Sequence, residues 1–228
     1  MVIAHDGYMT MNAKLSILSK STGNTSDFIA NALRSQILQG RYKANDPLRQ
    51  DIIAGQMGVS KIPLREALVQ LKAEGLVTFM PKRGAVVSQL SAAEVKEIYT
   101  MRSALETVAL EKAIARISPA DLIRAQGVLE IIDSENDKTR WGDLNWEFHA
   151  TLYQAARMPL LLNTIQRLHN NVLRYLIIYL DSLSAASVSQ NEHWAILKAC
   201  REKNTGQALS VLKKHLGQAS VHLVAFLS

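Results

Sequence analysis

The stretch from residue 50 to residue 87 constrains the fold most, because its chain breaks and apolar positions follow one another in a definite order. A short segment with one apolar face ends at Gly58, a residue type that favours the left-handed backbone closing many helices. Ser60 is a natural N-cap, since its hydroxyl can accept hydrogen bonds from the free amides of a first helical turn. The apolar residues that follow at helical spacing are Leu64, Ala67, Leu68 and Leu71. This stretch therefore predicts two short helices joined by a turn, a helix-turn-helix.

A β-hairpin is predicted directly after the second helix of this motif. Gly75 ends the helix, and residues 76–79 and 85–87 have the apolar and β-branched composition of short strands. The four residues from Pro81 to Gly84 are typical of a turn, and two of them are basic. A basic hairpin after a helix-turn-helix indicates a winged helix, whose second helix enters the major groove of DNA with its N-terminal end.

The residues expected to contact DNA lie at the leading end of the second helix and around the hairpin tip. Arg65 can form a bidentate pair with guanine O6 and N7, and Ile62 can contact a thymine methyl group. The hairpin tip suits a narrow minor groove or a phosphate group. The candidate DNA-binding residues are Arg49, Ser60, Lys61, Ile62, Arg65, Arg83 and Gly84. The alternative interpretation is a winged helix that is used for protein contacts.

This part of the chain resembles the N-terminal domain of GntR-type transcription regulators. The residues that carry the resemblance are 58–68, Leu71, 74–77 and 81–84. The family pattern usually has Arg at the position of Lys61 and Thr at the position of Ile62. The resemblance implies a transcription regulator that binds double-stranded DNA, with an operator sequence that these two departures affect.

Composition and charge agree with a globular DNA-binding protein. The chain has 228 residues, 48% of them hydrophobic, and a net charge of +6. Residues 21–90 contain nine Lys or Arg and five Asp or Glu, whereas residues 91–228 contain fifteen and fourteen. No apolar run reaches the roughly 18 residues of a membrane span. The single Cys excludes an intrachain disulfide and fits a reducing compartment, so we expect a cytoplasmic protein without membrane partners.

The chain after residue 90 reads as helix throughout. Ser91 and Glu94 have the spacing of a capping box, and prolines at 119 and 159 mark later helix starts. The predicted helices are 92–116, 119–134, 141–156, 159–184, 187–202 and 205–227. Six helices with short connections favour an antiparallel bundle with a ligand site in its core.

Four residues of this helical half could hold a metal ion. Asn145 and His149 are four residues apart and share one helix face, while His193 and His215 lie on two later helices. Neutral imidazole is a common ligand of zinc, nickel and similar ions. Spacing alone leaves open that each histidine is an ordinary core residue with one satisfied hydrogen bond.

The helical half is similar to the effector domain of FadR-type regulators, the FCD group. The residues that carry this similarity are 99–106, 148–149, 192–197 and 215–216. Metal-binding members of the group use one Asp and three His, and the matching positions here are Asn145, His149, His193 and His215. The resemblance implies a divalent transition metal, zinc or nickel, and a small carboxylate effector that completes its coordination. Asn145 brings no negative charge to this set.

Two arginines are candidates for binding the effector. Arg102, on the first helix of the bundle, can pair with a carboxylate through its planar fork. Arg174 interrupts an apolar run, where an unpaired charge is unfavourable. The alternative for both is a structural ion pair, with Glu106 as an obvious partner for Arg102.

These features predict a mainly α fold, with an N-terminal winged helix-turn-helix that has a small β-hairpin wing and a C-terminal all-α, FCD-like bundle. The predicted regions are a flexible tail at 1–22, a DNA-binding domain at 23–89 and an effector-binding and dimerisation domain at 90–228. We expect a repressor that binds a pseudo-palindromic operator as a homodimer and responds to the carboxylate. The alternative is a metal-dependent enzyme that acts on a small organic acid. No general base is well placed for it, because Glu147 lies on a different helix face from His149.

Overall fold

A computed structural model describes residues 25–135, 140–180 and 183–227, without the side chains of Arg174, residues 176–180 and residues 183–186. The predicted tail at 1–22 lies outside the described residues. The chain divides into two compact units between Gln89 and Leu90, and each has its own hydrophobic core.

The described part of the first unit consists of helices followed by a β-hairpin, as the sequence predicts. Its elements are α1 (Thr25–Leu38), α2 (Gln50–Met57), α3 (Lys61–Ala73), β1 (Val77–Met80) and β2 (Gly84–Val87). Gly58 ends α2 with a φ of 64°, and its N–H bonds back to the last turn of that helix. The strands pair antiparallel, with Val77 opposite Val87. Leu64, Leu68 and Leu71 of α3 are fully buried against this unit's core.

The loop before α2 is more ordered than its sequence suggests. Residues 45–47 form an Asn-Asp-Pro turn signal that is typical of an irregular loop, yet this backbone pairs with β2. The Leu48 N–H donates to the Ala85 carbonyl at 2.8 Å, and the Asn45 N–H donates to the Val87 carbonyl at 2.9 Å. The loop therefore lies along the hairpin, and the start of α2 lies beside the hairpin tip.

The described part of the second unit is helical, which confirms the predicted fold class. Its helices are α4 (Ala92–Ile114), α5 (Pro119–Ser134), α6 (Trp141–Gln154), α7 (Pro159–Leu180), α8 (Leu183–Arg201) and α9 (Thr205–Leu227). The predicted capping box at Ser91 and Glu94 is present, and Ser118 and Asp121 form a second one at α5. The boundary between α7 and α8 is wrong in the sequence prediction, because α8 already begins at Leu183.

The core of the second unit contains a set of buried polar side chains among its apolar residues. Helix α4 packs against α6, α7 and α9, and α5 packs against α6 and α8. The buried polar residues of this unit are Arg102, Glu106, Asn145, His149, His169, Gln190, Glu192, His193 and His215. Buried polar groups are unfavourable without partners, so this concentration marks a candidate site.

Candidate DNA-contacting surface and metal centre

Five of the seven predicted DNA-binding residues line one surface groove of the first unit. The groove has a volume of about 250 Å³ and lies where the leading ends of α2 and α3 meet the hairpin tip. The five residues are Arg49, Lys61, Arg65, Arg83 and Gly84. All of them are exposed, so the fold gathers these basic groups on an accessible surface.

Weak contacts orient the basic side chains in this groove. Lys61 forms an ion pair with Asp51, and the Arg65 Nε donates to the Gln50 Oε1 at 3.0 Å. Exposed pairs of this kind contribute little stability, so phosphates or bases can replace these partners. Ile62 is 70% exposed on the same leading turn of α3, so its side chain is accessible to a partner.

Ser60 departs from the role that its sequence position predicts. It is the N-cap residue of α3 with an extended backbone, but its side chain makes no capping hydrogen bond. The expected acceptance of helix amides by the hydroxyl is therefore wrong for this structure. The first-turn amides of α3 remain available to an anion, and a helix N-terminus attracts phosphate groups.

Three histidines from three helices converge in the core of the second unit. His149 of α6, His193 of α8 and His215 of α9 are buried, and one ligand atom from each lies within 4.8 Å of the others. Their ring centroids are 4.7 to 5.4 Å apart. Spacing along the chain left this convergence open, and the packing of α6, α8 and α9 produces it.

A hydrogen-bond relay fixes which nitrogen of His149 is free. The Tyr153 hydroxyl donates to the Glu106 Oε2 at 2.7 Å, so its oxygen is left to accept the proton of the His149 Nδ1, 3.2 Å away. The His149 Nε2 is buried and has no hydrogen-bond partner in the structure. This arrangement leaves the Nε2 lone pair free for a metal ion.

His193 is oriented in the same sense by an amide. Its Nδ1 lies 3.1 Å from the Gln190 Oε1, and the Gln190 Nε2 donates to the Leu129 carbonyl at 3.1 Å and to the Asp133 Oδ1 at 2.8 Å. These two donor contacts fix the amide oxygen toward His193, so the Nδ1 is the donor. The His193 Nε2 is also buried without a partner.

His215 completes the set through a carboxylate. Its Nδ1 lies 3.1 Å from the Glu192 Oε2, which can only accept when ionised. All three rings thus donate from Nδ1 to an acceptor outside the cluster. Histidines that bind metals through Nε2 have this outer hydrogen bond almost without exception, so the donor set fits a metal ion.

Electrostatics favour the neutral form of His149 and His193. Burial, followed by the charges of neighbouring groups, lowers the pKa of His149 well below its usual 6.5. Burial and the proximity of His215 do the same to the pKa of His193. Neutral imidazole is the form that binds metal, so a low pKa keeps these two rings available to a cation at neutral pH.

The remaining predicted site residues differ in what the structure says of them. Asn145 is buried one turn before His149 on α6. Arg102 is 3% exposed and donates from Nε to the Glu106 Oε1 at 2.7 Å, so the ion pair considered from the sequence is present. Arg174 belongs to α7, but its side chain lies outside the described part of the protein.

Sequence reasoning missed the residues that orient the histidines. Tyr153 follows His149 by one helical turn, and Gln190 precedes His193 by three residues, so helical spacing could have suggested both. Glu192 precedes His193 directly but binds His215, which no local pattern indicates. His169 is also buried, with its ring 5.2 Å from the Trp146 ring.

Both units of the chain match known protein families. Residues 25–87 match the bacterial regulatory proteins of the gntR family, and residues 97–218 match the FCD domain. A DNA-binding unit followed by a helical effector domain defines a transcription regulator. The chain belongs to the GntR family of bacterial regulators and carries an FCD domain.

Individual relatives agree with this assignment. The chain is 27% identical over 195 residues to the HTH-type transcriptional repressor GlaR of Escherichia coli, covering 81% of this chain and 89% of that protein. It is 25% identical over 191 residues to the E. coli repressor RspR, covering 82% and 84%. The E. coli McbR/YncC structure shares the fold, with a TM-score of 0.80, 22% identity and coverage of 91% and 100%.

The family and these relatives are transcription regulators, so the enzyme considered from the sequence is set aside. GntR-family regulators bind DNA, in agreement with the first unit. Within the described residues, no helix has the length and apolarity needed to cross a bilayer.

Proposed function

We propose that this protein is a cytoplasmic repressor that binds a pseudo-palindromic operator as a homodimer and responds to a small carboxylate at a metal centre in its helical unit. The observation that carries the proposal is the convergence of three buried imidazoles, with one ligand atom of each within 4.8 Å of the others, inside the effector domain of a DNA-binding regulator. Such a cluster gives the molecule a second chemical input besides DNA.

The first unit supports operator binding. Lys61, Ile62 and Arg65 occupy the exposed leading part of α3, and Arg83 and Gly84 line the same groove from the hairpin. A recognition helix reads base edges with its N-terminal residues, while the hairpin and the start of the preceding helix contact the backbone. Two copies on two half-sites would multiply these modest contacts, which supports a dimer on a two-fold operator.

The second unit supports a metal-dependent effector site. His149, His193 and His215 would hold the ion through Nε2, with the Asn145 amide oxygen as a candidate fourth ligand. Zinc or nickel suits a set of imidazoles. When bound, the ion would supply a Lewis-acidic position for a carboxylate oxygen. Arg102, which already donates to Glu106, and Arg174 are the candidates for a hydrogen bond to the effector's carboxylate.

Repression is the direction of control that the relatives favour, because GlaR and RspR are both named repressors. A ligand that binds better to one conformation of the dimer shifts the population toward that state. We propose that the carboxylate favours the form that does not bind DNA.

The test begins with selection of the operator from random duplexes by the full-length protein. Affinity for that operator is then measured by fluorescence anisotropy with nickel present, across a panel of mono-, di- and hydroxycarboxylates. At least one carboxylate should weaken operator binding about tenfold, the size of a typical allosteric coupling of 1–3 kcal/mol. His149→Ala should abolish that response and leave DNA binding intact. Unchanged operator affinity at saturation with every carboxylate that binds would refute the proposal.

A further inference from the structure

The proposed metal centre is unusual in the charge of its ligands. Among the described residues, the side chains whose donor atoms converge are the three histidines, and the converging group contains neither Asp nor Glu. Asn145, one turn before His149, is neutral as well. A divalent ion in this site would therefore keep its full positive charge.

Two buried carboxylates linked to the histidines are already engaged in other contacts. Glu106 accepts from the Arg102 Nε and from the Tyr153 hydroxyl, which in turn contacts the His149 Nδ1. Glu106 is fully buried, so these hydrogen bonds stabilise its negative charge in place of water. Its negative charge is balanced by Arg102 and is not free to neutralise a cation.

Glu192 is engaged in a comparable way. It accepts from the His215 Nδ1 at 3.1 Å and lies 3.4 Å from the Lys214 Nζ. Because Nδ1 and Nε2 lie on opposite edges of an imidazole ring, this carboxylate supports His215 from behind. It cannot become a ligand unless its bond to Nδ1 breaks.

A buried divalent ion with only neutral ligands is less favourable than one that an anion joins, because its charge stays uncompensated. The charge of Arg102 is already balanced by Glu106, so neither group offsets the charge of the ion. The site therefore lacks two negative charges when a divalent ion is present. A carboxylate bound directly to the ion would supply one of them at the same site.

We infer that the metal ion and a small carboxylate enter this site as a pair, each raising the affinity of the other. The inference rests on the metal centre of the proposed function and specifies how that centre is regulated. Coupling between two ligands is reciprocal, so the metal would be held weakly until the carboxylate arrives. The regulator would then detect the coincidence of metal and carboxylate rather than carry a permanent ion.

The first experiment compares nickel affinity in two salts. Full-length protein is stripped of metal, and the Ni²⁺ dissociation constant is measured at pH 7.0 by competition with a coloured chelator. One series contains sodium acetate, and the other contains sodium perchlorate, a weakly coordinating anion, at equal ionic strength. We expect Ni²⁺ to bind about tenfold more tightly in acetate, within the 5- to 150-fold range of typical couplings. Acetate also binds free Ni²⁺ weakly, which would lower the apparent affinity and cannot imitate this result.

A variant supplies the missing charge inside the protein. Asn145→Asp should tighten Ni²⁺ binding in perchlorate about tenfold and should reduce the acetate effect to less than about threefold, the low end of such couplings. Asn163→Asp makes the same charge change on an exposed part of α7 and should leave both values unchanged. If Asn145→Asp proves to be unfolded by circular dichroism, the comparison of the two salts in the unaltered protein decides.

The outcomes separate this inference from the function on which it rests. Equal Ni²⁺ affinity of the unaltered protein in acetate and perchlorate, with tight binding in both, overturns the paired entry and retains the metal centre. No Ni²⁺ binding in either salt overturns the metal centre and the inference together. A tenfold acetate effect that Asn145→Asp removes supports both.

Discussion

Tyr153 lies one turn after His149 on α6 and connects the candidate metal ligand to a buried ion pair. Its hydroxyl donates to the Glu106 Oε2, which leaves the hydroxyl oxygen to accept from the His149 Nδ1. Burial, the charge of Glu106 and its hydrogen bond raise the pKa of Tyr153 well above 10, so the hydroxyl keeps its proton. One side chain thereby determines the tautomer of the ligand.

Removing this hydroxyl should weaken the metal site without removing a ligand. Tyr153→Phe leaves the His149 Nδ1 without its acceptor, so the ring loses its fixed tautomer and orientation. Loss of such an outer partner typically reduces metal affinity 10- to 100-fold. We expect Ni²⁺ affinity in acetate to fall in that range, and ¹⁵N NMR of the metal-free protein should show a mixture of His149 tautomers.

Tyr42→Phe is the matched control, because it removes a hydroxyl from the first unit, far along the chain from the histidines. It should leave Ni²⁺ affinity and the histidine spectrum unchanged. A Tyr153→Phe protein with a single Nδ1–H tautomer at His149 would show that the relay does not position this ring.

The sequence predicts which residues are candidate ligands better than it predicts which ring nitrogen of each histidine is free. The ligand candidates His149, His193 and His215 follow from helical spacing and resemblance, and the structure brings them together. Which nitrogen is free does not follow, because the acceptors come partly from other helices. Glu106 precedes Tyr153 by 47 residues, and no pattern within one helix reports such a contact.

Helix α3 is the element that we propose as the DNA-recognition helix. Its apolar positions are buried in the first unit, and Arg65 points away from that core at the exposed end. The Arg65 Nε donates to the Gln50 Oε1, a neutral acceptor on the protein surface. The acceptor atoms of a guanine edge can take the place of this oxygen. One face of α3 therefore packs against the core, and the opposite face presents the proposed recognition residues to solvent.

Arg65→Ala should weaken operator binding and relax its sequence preference. A bidentate pair between arginine and guanine contributes roughly 1–3 kcal/mol of discrimination, so specific affinity should fall about 5- to 150-fold. The loss should concentrate at one base-pair position of each half-site. Anisotropy with the selected operator and its single-position variants measures both effects.

Arg167→Ala removes the same charge from an exposed position on α7 and should change operator affinity little. Retention of full affinity and of every base preference by Arg65→Ala would exclude α3 as the recognition helix.

The α3 boundaries follow from the sequence because capping and periodicity are local. The pairing of residues 45–48 with β2 was missed because it depends on a contact about 40 residues away.

At the scale of the whole molecule, the chain has two hydrophobic cores on either side of residue 89. The apolar residues of α1, α2, α3 and the hairpin form one, and those of the six later helices form the other. The histidine cluster belongs to the second core. Metal binding should therefore stabilise one of the two units directly, because a ligand stabilises the folded state that contains its site.

Differential scanning calorimetry can test whether metal stabilises the second unit alone. We expect two unfolding transitions in the metal-free protein, and Ni²⁺ with acetate should raise the melting temperature of the second unit alone. At a hundred times its dissociation constant, a ligand adds about 2.7 kcal/mol to the free energy of unfolding. Leu33→Ala, in the first core, identifies the other transition by destabilising it about 2–5 kcal/mol. His149→Ala should cancel the Ni²⁺ shift, and a shift of both transitions by Ni²⁺ would mean that the units unfold as one.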